Sequence, residues 1–260
     1  MERESGAVIT SRENSKIKYA CSLRDSEKQR AAEGLFFAEG PKLCLELAKS
    51  CTPRAAYATE AALEKTPELA SLDPVPVAPH VAEKLAGTKS SQGVFVLFET
   101  PRPGPALLTT ARRILALEGV QDPGNVGTLL RSAAAFGFDA VVLGPGCAAP
   151  FSPKTLRSSM GAAGRLPVVH SSDLPATLRE LRDRGVTCLA AALYRSRPLD
   201  EAGREFPGGV CVVIGSEGQG LTDETVQACD AAVRIPMTDR VESLNAGVAG
   251  SVLLWHFRGV

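Results

Sequence analysis

The sequence predicts an α/β protein in two parts: a small mixed domain, then a larger one with a mainly parallel sheet. Three observations carry this. From Arg113 onward, short apolar β-branched runs alternate regularly with helical patterns, which argues for parallel strands covered on both faces. Before residue 100 a looser alternation ends in the strong strand pattern Val94-Phe95-Val96-Leu97-Phe98. Between the two lies Thr100-Pro101-Arg102-Pro103-Gly104-Pro105, whose prolines favour a stiff, extended linker over a helix or inner strand. The expected boundaries are a first domain over 1–99, a linker over 100–110 and a second domain over 111–260.

Taken in order, residues up to Thr10 are polar and expected to fray. Residues 11–30 carry apolar positions at Ile17, Ala20, Cys21 and Leu23, predicting one or two amphipathic helices with their basic residues outward. Residues 35–38 read as a strand and 41–50 as a helix with Leu43, Cys44 and Leu47 inward. In the second domain, strands are expected at 114–117, 140–143, 167–169, 187–191, 210–214 and 231–235. Helices are expected at 125–136, 153–160, 174–184, 223–229 and 244–257. Pro236 ends the ladder of the last strand. Ser243 suits the N-cap of the last helix, with Leu244, Val248, Val252 and Trp255 as its apolar side.

Composition narrows the class without naming it. Hydrophobic residues make up 44% and charged residues 22%, an ordinary globular mix. A formal net charge of zero gives no whole-chain support to a nucleic-acid partner. Residues 151–199 hold eight Lys or Arg, with only Asp173, Glu180 and Asp183 opposing them. That excess suits a phosphate backbone or the solvated side of helices. The seven cysteines are odd in number and form no CxxC pair, so neither a zinc site nor a disulfide framework is indicated. Cys188 and Cys211 fall in apolar strand patterns and read as small core residues. His80, His170 and His256 do not cluster in the sequence, and no metal is expected. MERESGAVIT lacks an apolar signal region, and no stretch reaches about 18 apolar residues. No membrane association is expected, and the expected compartment is the cytoplasm.

The chemistry concentrates between Val210 and Trp255. A buried strand pattern ends in Gly215-Ser216-Glu217-Gly218-Gln219-Gly220, and its glycines allow a sharp turn and close approach to a ligand. A phosphate loop needs GxxxxGK(S/T) and a dinucleotide site needs GxGxxG. This loop has neither, which counts against an NAD-type oxidoreductase, and Glu217 would repel an anion. A carboxylate amid backbone amides better suits a polar or cationic ligand, or a hydroxyl that needs orienting. Asn245 stands in the first turn of the last helix. Two strand-end loops carrying Glu217 and Asn245 would meet above one sheet edge, where open α/β sheets bind ligands.

GSEGQGL, IPM and ESLNAGVAG resemble the second and third motifs of the SpoU (TrmH-type) RNA ribose 2′-O-methyltransferases of the SPOUT superfamily. EGVQDPGNVGTLLRSAAAFG supplies the first motif, with Asn125, Gly127 and Arg131. The N-terminal part, from TSRENSKIKYA to SSQGVFV, is similar to the family's accessory domain. The third motif departs from the common form at Ala246-Gly247, which bears on helix packing.

The resemblance implies a C-terminal SPOUT fold with a deep trefoil knot, preceded by a small L30e-like α/β RNA-binding domain. Periodicity cannot predict a knot, because knots are rare exceptions to ordinary topology. The implied reaction moves the methyl of S-adenosylmethionine to a ribose 2′-hydroxyl of RNA. Asn125, Arg131, Glu217, Ser243 and Asn245 are the implied catalytic residues. Gly215, Ile235 and Leu244, with Ile214, Pro236 and Gly220, are the implied cofactor contacts. On residue type alone, Asn125 serves equally well as a helix cap and Arg131 as a solvated cation. Arg12, Asn14, Lys16, Lys18, Lys28 and Arg30 are the implied RNA contacts of the first domain. The implied partners are ribosomal RNA ahead of transfer RNA, and a second copy of the chain in a homodimer. A non-catalytic RNA-binding protein that keeps the fold is the alternative.

Overall fold

A computed structural model of the chain describes residues 7–203 and 205–259. Residues 1–6 of the stretch expected to fray, and Val260 at the end of the expected second domain, lie outside the described residues. The backbone forms two compact units, Met1–Pro101 with Phe151–Arg165, and Arg102–Pro150 with Leu166–Val260.

The first unit comprises α1 (Ser15–Asp25), α2 (Glu27–Glu33), β1 (Leu35–Glu39), α3 (Pro41–Leu47), β2 (Pro53–Ala58), α4 (Glu60–Lys65), β3 (Val75–Pro76), α5 (Pro79–Leu85) and β4 (Val94–Glu99). Its sheet runs β1-β4-β2-β3, antiparallel except between β2 and β3. Strand side chains alternate between faces, and here both faces are covered. Phe37, Phe95 and Leu97 pack with Ile17, Leu23, Val81 and Leu85 from α1 and α5. On the opposite face Phe36 stacks on Phe98, with centroids 5.4 Å apart, and meets Phe151 at 4.8 Å. Phe151 is followed by α7 (Pro153–Ser159) and a 3-10 turn, and the whole stretch belongs to this unit. A Cβ on Gly164 would lie 2.8 Å from both Cys51 Sγ and Leu47 Cδ2. Helical periodicity showed that α7 exists, but it carries no information about which sheet receives the helix.

Two further expectations change. The Ile9 amide donates to Pro76 O at 2.9 Å, and its carbonyl accepts from Ala78 N at 3.0 Å; the chain is therefore held from Ile9, not from beyond Thr10. Pro105–Thr109 forms a 3-10 turn whose Leu108 joins the core of the second unit. Proline at the start of a helical turn costs no donor, so the span without regular structure shortens to residues 100–104.

The second unit comprises β5 (Arg113–Leu117), α6 (Pro123–Ala135), β6 (Ala140–Leu143), β7 (Val168–His170), α8 (Leu174–Asp183), β8 (Thr187–Ala191), β9 (Arg197–Pro198), β10 (Val210–Ile214), α9 (Asp223–Ala228), β11 (Ala231–Arg234) and α10 (Ala246–His256). All neighbours in the sheet, ordered β7-β6-β5-β10-β8-β11-β9, are parallel. Ile114, Ala116, Val142, Cys211 and Val213 face Leu174, Leu178 and Leu181 of α8 and Ala228 of α9. The other face receives α6 and α10, which pack along each other. After β10 the chain passes over β8 to form β11, then returns to set α10 against α6 and β10. All the strand-end loops that carry the family motifs lie at the C-terminal edge of this one sheet.

Candidate active site

Every residue of β10 is buried, and the strand ends at Gly215. A Cβ on Gly215 would sit 2.5 Å from Gly220 O and Leu221 N. The glycine is therefore required by the loop's own crossing. Ser216 and Gly220 exchange backbone hydrogen bonds of 3.1 and 3.0 Å, and Gly220 takes a φ of +70°. This tight closure leaves Glu217 and Gly218 at the tip.

The far end of the loop is tied down by Glu118, just beyond β5. Its carboxylate accepts from Thr222 N at 2.8 Å, Thr222 Oγ1 at 3.1 Å and Thr225 Oγ1 at 2.7 Å. Thr225 is fully buried, and Thr222 caps α9. Sequence reasoning missed Glu118: a lone Glu after a strand looks like any solvated charge. The available signal was the hydroxyl pair Thr222 and Thr225, spaced one turn apart behind the glycine loop.

Asn125 lies in the first turn of α6, yet it is not the cap. Asp122 fills that role, accepting from Gly124 N at 2.8 Å. Capping therefore does not explain Asn125. Its side chain is buried and donates through Nδ2 to the Glu217 carboxylate. The first and second motifs thus meet directly across 92 residues of sequence.

The third motif joins them through α10. Its N-cap is Asn245, which accepts from Val248 N at 3.2 Å, and not Ser243, which is exposed. Asn125 Oδ1 and Asn245 Oδ1 lie 3.0 and 3.1 Å from where a Cβ on Gly247 would stand. A side chain at 247 would crowd both amide oxygens. The expected apolar side of this helix is also corrected. Ala246, Gly247, Gly250, Leu253 and Leu254 are buried, whereas Val248, Val252 and Trp255 are exposed. The helix is apolar nearly all round, so the small residues, which permit close approach to α6, decide which side turns inward. Ser132 and Ser251 seal that contact with a 2.8 Å hydrogen bond.

Arg131 is exposed on α6, and no ion pair joins it to a carboxylate among the described residues. Of the expected cofactor contacts, Ile235 and Leu244 are half-buried and Pro236 is exposed. Ile214 is buried, with Cγ1 3.5 Å from a Cβ position on Gly250. On its other side the Ser216–Gly220 loop borders a cavity of about 600 Å³, lined in part by Gly119, Gly146, Asp173 and Glu224. No group of three His, Cys, Asp or Glu able to hold a metal occurs among the described residues.

The expected RNA contacts of the first unit divide sharply. Arg30 is buried and donates to Leu23 O and Arg24 O at 2.8 and 3.0 Å, closing the end of α1, and is corrected to a structural residue. Asn14 caps α1, Arg12 pairs with Glu83 at 2.8 Å, and Lys18 pairs with Glu13 at 2.5 Å. Lys16 and Lys28 remain exposed. The basic excess over 151–199 is divided between the two units. Lys154, Arg157 and Arg165 belong to the first unit and the others to the second, and Arg182 is bound to Asp230 at 2.8 Å.

A parallel α/β unit whose strand-end loops gather an amide–carboxylate pair beside a glycine-edged helix start defines an RNA methyltransferase class when the three motifs are matched to known proteins. Residues 112–255 match the SpoU rRNA Methylase family, and residues 14–96 match the MRM3-like substrate binding domain. The chain belongs to the SpoU rRNA methylase family. An uncharacterized tRNA/rRNA methyltransferase of Synechocystis is 34% identical, covering 97% of this chain and 93% of that protein. The 23S rRNA (guanosine(2553)-2′-O)-methyltransferase RlmP of Bacillus subtilis is 40% identical over 58% of this chain and 60% of its own length. Among solved structures, an AdoMet-bound rRNA methyltransferase from Sinorhizobium meliloti has a TM-score of 0.84 at 25% identity, covering 97% of each chain. A TrmH-family protein from Porphyromonas gingivalis reaches 0.82 at 32% identity, over 94% of this chain and 98% of its own.

Proposed function

We propose that this protein transfers a methyl group from S-adenosylmethionine to a ribose 2′-hydroxyl of ribosomal RNA. The observation that carries the reading is the contact between Asn125 and Glu217 beside Gly247 and Asn245. It assembles all three family motifs at one sheet edge, and capping does not account for Asn125. The relative from Bacillus, which acts on a guanosine of 23S rRNA, favours ribosomal over transfer RNA.

The residues present suit the cofactor. Ile235 and Leu244 offer half-buried apolar side chains for an adenine, Gly215 carries no side chain to obstruct it, and Ile214, Pro236 and Gly220 complete the surround. The bound cofactor supplies an electrophilic methyl on its sulfonium. The protein's task is to hold the hydroxyl oxygen in line with that methyl, and alignment of this kind contributes up to about 7–11 kcal/mol in favourable cases. The role of the Arg131 guanidinium is to grip the neighbouring phosphate and stabilise the developing alkoxide. Asn125 fixes Glu217, while Ser243 and Asn245 border the ribose.

The return of the chain from β11 to α10 across β8 supports a C-terminal trefoil knot. The exposed Val248, Val252 and Trp255 on one face of α10 support a homodimer through that helix. The first unit presents the RNA, as its match to a substrate binding domain suggests. Seven free thiols fit a reducing cytoplasm. Incubation of the protein with labelled S-adenosylmethionine and unmethylated ribosomal RNA tests the reading. The expected product is a 2′-O-methyl nucleotide, and label on a base or on no RNA would overturn it.

A further inference from the structure

Tyr194 is 84% exposed, the highest value among the exposed large apolar side chains of the described residues. Tyrosine rings usually bury much of their 150–250 Å², so a ring held in solvent asks for a reason. Its loop does not hang free. Ser196 Oγ donates to Leu193 O at 3.3 Å, and the Arg234 guanidinium donates to Ser196 O. Beyond it Arg197 and Pro198 pair with β11. Between them Arg195 takes a φ of +52°, a left-handed conformation uncommon for a long side chain and enriched at functional sites. The loop follows β8, which lies between β10 and β11. Tyr194 therefore stands at the edge that carries Glu217 and the expected cofactor contacts. Leu193 beside it, and Met237 and Val241 on the loop after β11, are exposed too. Arg195, Arg197 and Arg240 are exposed with no ion pair to a described carboxylate, and Asp239 and Glu242 oppose them in the sequence. The charge is near balance, so the face of the ring is the main attraction on offer.

We propose that Tyr194 is a stacking platform for an unpaired nucleobase of the RNA substrate, next to the nucleotide whose ribose is methylated. This rests on the functional reading above. Stacking on an aromatic face is tolerant of base identity, and the flanking arginines attract the phosphates on either side. The ring thereby holds the strand while Asn125, Glu217 and Arg131 act on the ribose.

The test measures binding of unmethylated ribosomal RNA by filter retention, alongside calorimetric binding of S-adenosylmethionine alone, for the full chain and its Y194F, Y194W, Y194L and Y194A variants. Y194A and Y194L should weaken RNA binding about 5- to 100-fold, Y194F and Y194W should stay near wild type, and cofactor affinity should not move. Full RNA affinity in Y194A would overturn the proposal, as would full affinity in Y194L, since leucine keeps apolar area without a π face. A loss confined to cofactor binding would assign the ring to the adenine and overturn it equally. Ring-dependent RNA binding without any methyl transfer would uphold the platform and overturn the proposed reaction.

Discussion

At the residue scale, the account rests on a side chain whose ordinary explanation is taken by a neighbour. Because Asp122 caps α6, replacing Asn125 removes no cap and should leave the helix intact. Asn125→Ala should instead lower kcat by about 10²–10³, as losses of a preorganised donor do, with cofactor affinity little changed in calorimetry. Arg131→Ala should abolish transfer and Arg131→Lys should rescue it poorly, since a point charge does not reproduce a planar fork of donors; single-turnover assays would show this. The motif residues were legible in the sequence, but their pairing was not, because nothing in spacing brings positions 92 apart into contact. The buried thiols make a further prediction. Burial, with Cys188 nearby, raises the Cys229 thiol to about 12, and a hydrogen bond between Cys211 and Cys188, together with burial, raises Cys211 well above the ordinary thiol range. A thiol kept protonated in the fold and free to ionise at about 8.5 when unfolded contributes stability that is complete below that pH. The contribution is lost as pH rises from there through the folded value. Thermal unfolding scans should therefore show Tm falling above about pH 9, less steeply in Cys229→Ala.

At the element scale, α10 shows how a helix can be recognised and yet turned the wrong way. Its existence and length were plain, but a helix apolar on every side gives no direction by periodicity. The inward side is chosen by Gly247 and Gly250, because a Cβ at 250 would collide with Leu129 Cδ2. Gly250→Val should therefore cost about 1–3 kcal/mol by overpacking, read as a lowered Tm. The same logic governs the loop after β10. Glu118 gathers two threonine hydroxyls and one amide, so Glu118→Ala leaves buried Thr225 without that partner. Loss of such a buried hydrogen bond costs about 1–3 kcal/mol. Hydrogen exchange should show the Gly215–Leu221 amides loosening, while β10 itself stays protected.

At the scale of the whole molecule, the main strands and helices of the second unit were legible from alternation, but the short β9, the elements between α3 and β4 in the first unit, and the allocation of Phe151–Arg165 to that unit were not. Consequently a fragment cut at Pro105 would expose Phe151 and the packed face of α7, and point variants are the better probes of assembly. Val252→Glu with Trp255→Glu should convert a dimer to monomers in light scattering, since both side chains are already exposed in the single chain and their loss leaves its core untouched. The central claim is a reaction, and one measurement reaches it most directly. Ribosomal RNA lacking the modification is incubated with labelled S-adenosylmethionine and either wild-type protein or Asn125→Ala, and the labelled nucleotide is mapped. The account predicts a single 2′-O-methyl nucleotide with the wild type and almost none with the variant. Equal labelling by both proteins, or a methyl group on a base, would contradict it.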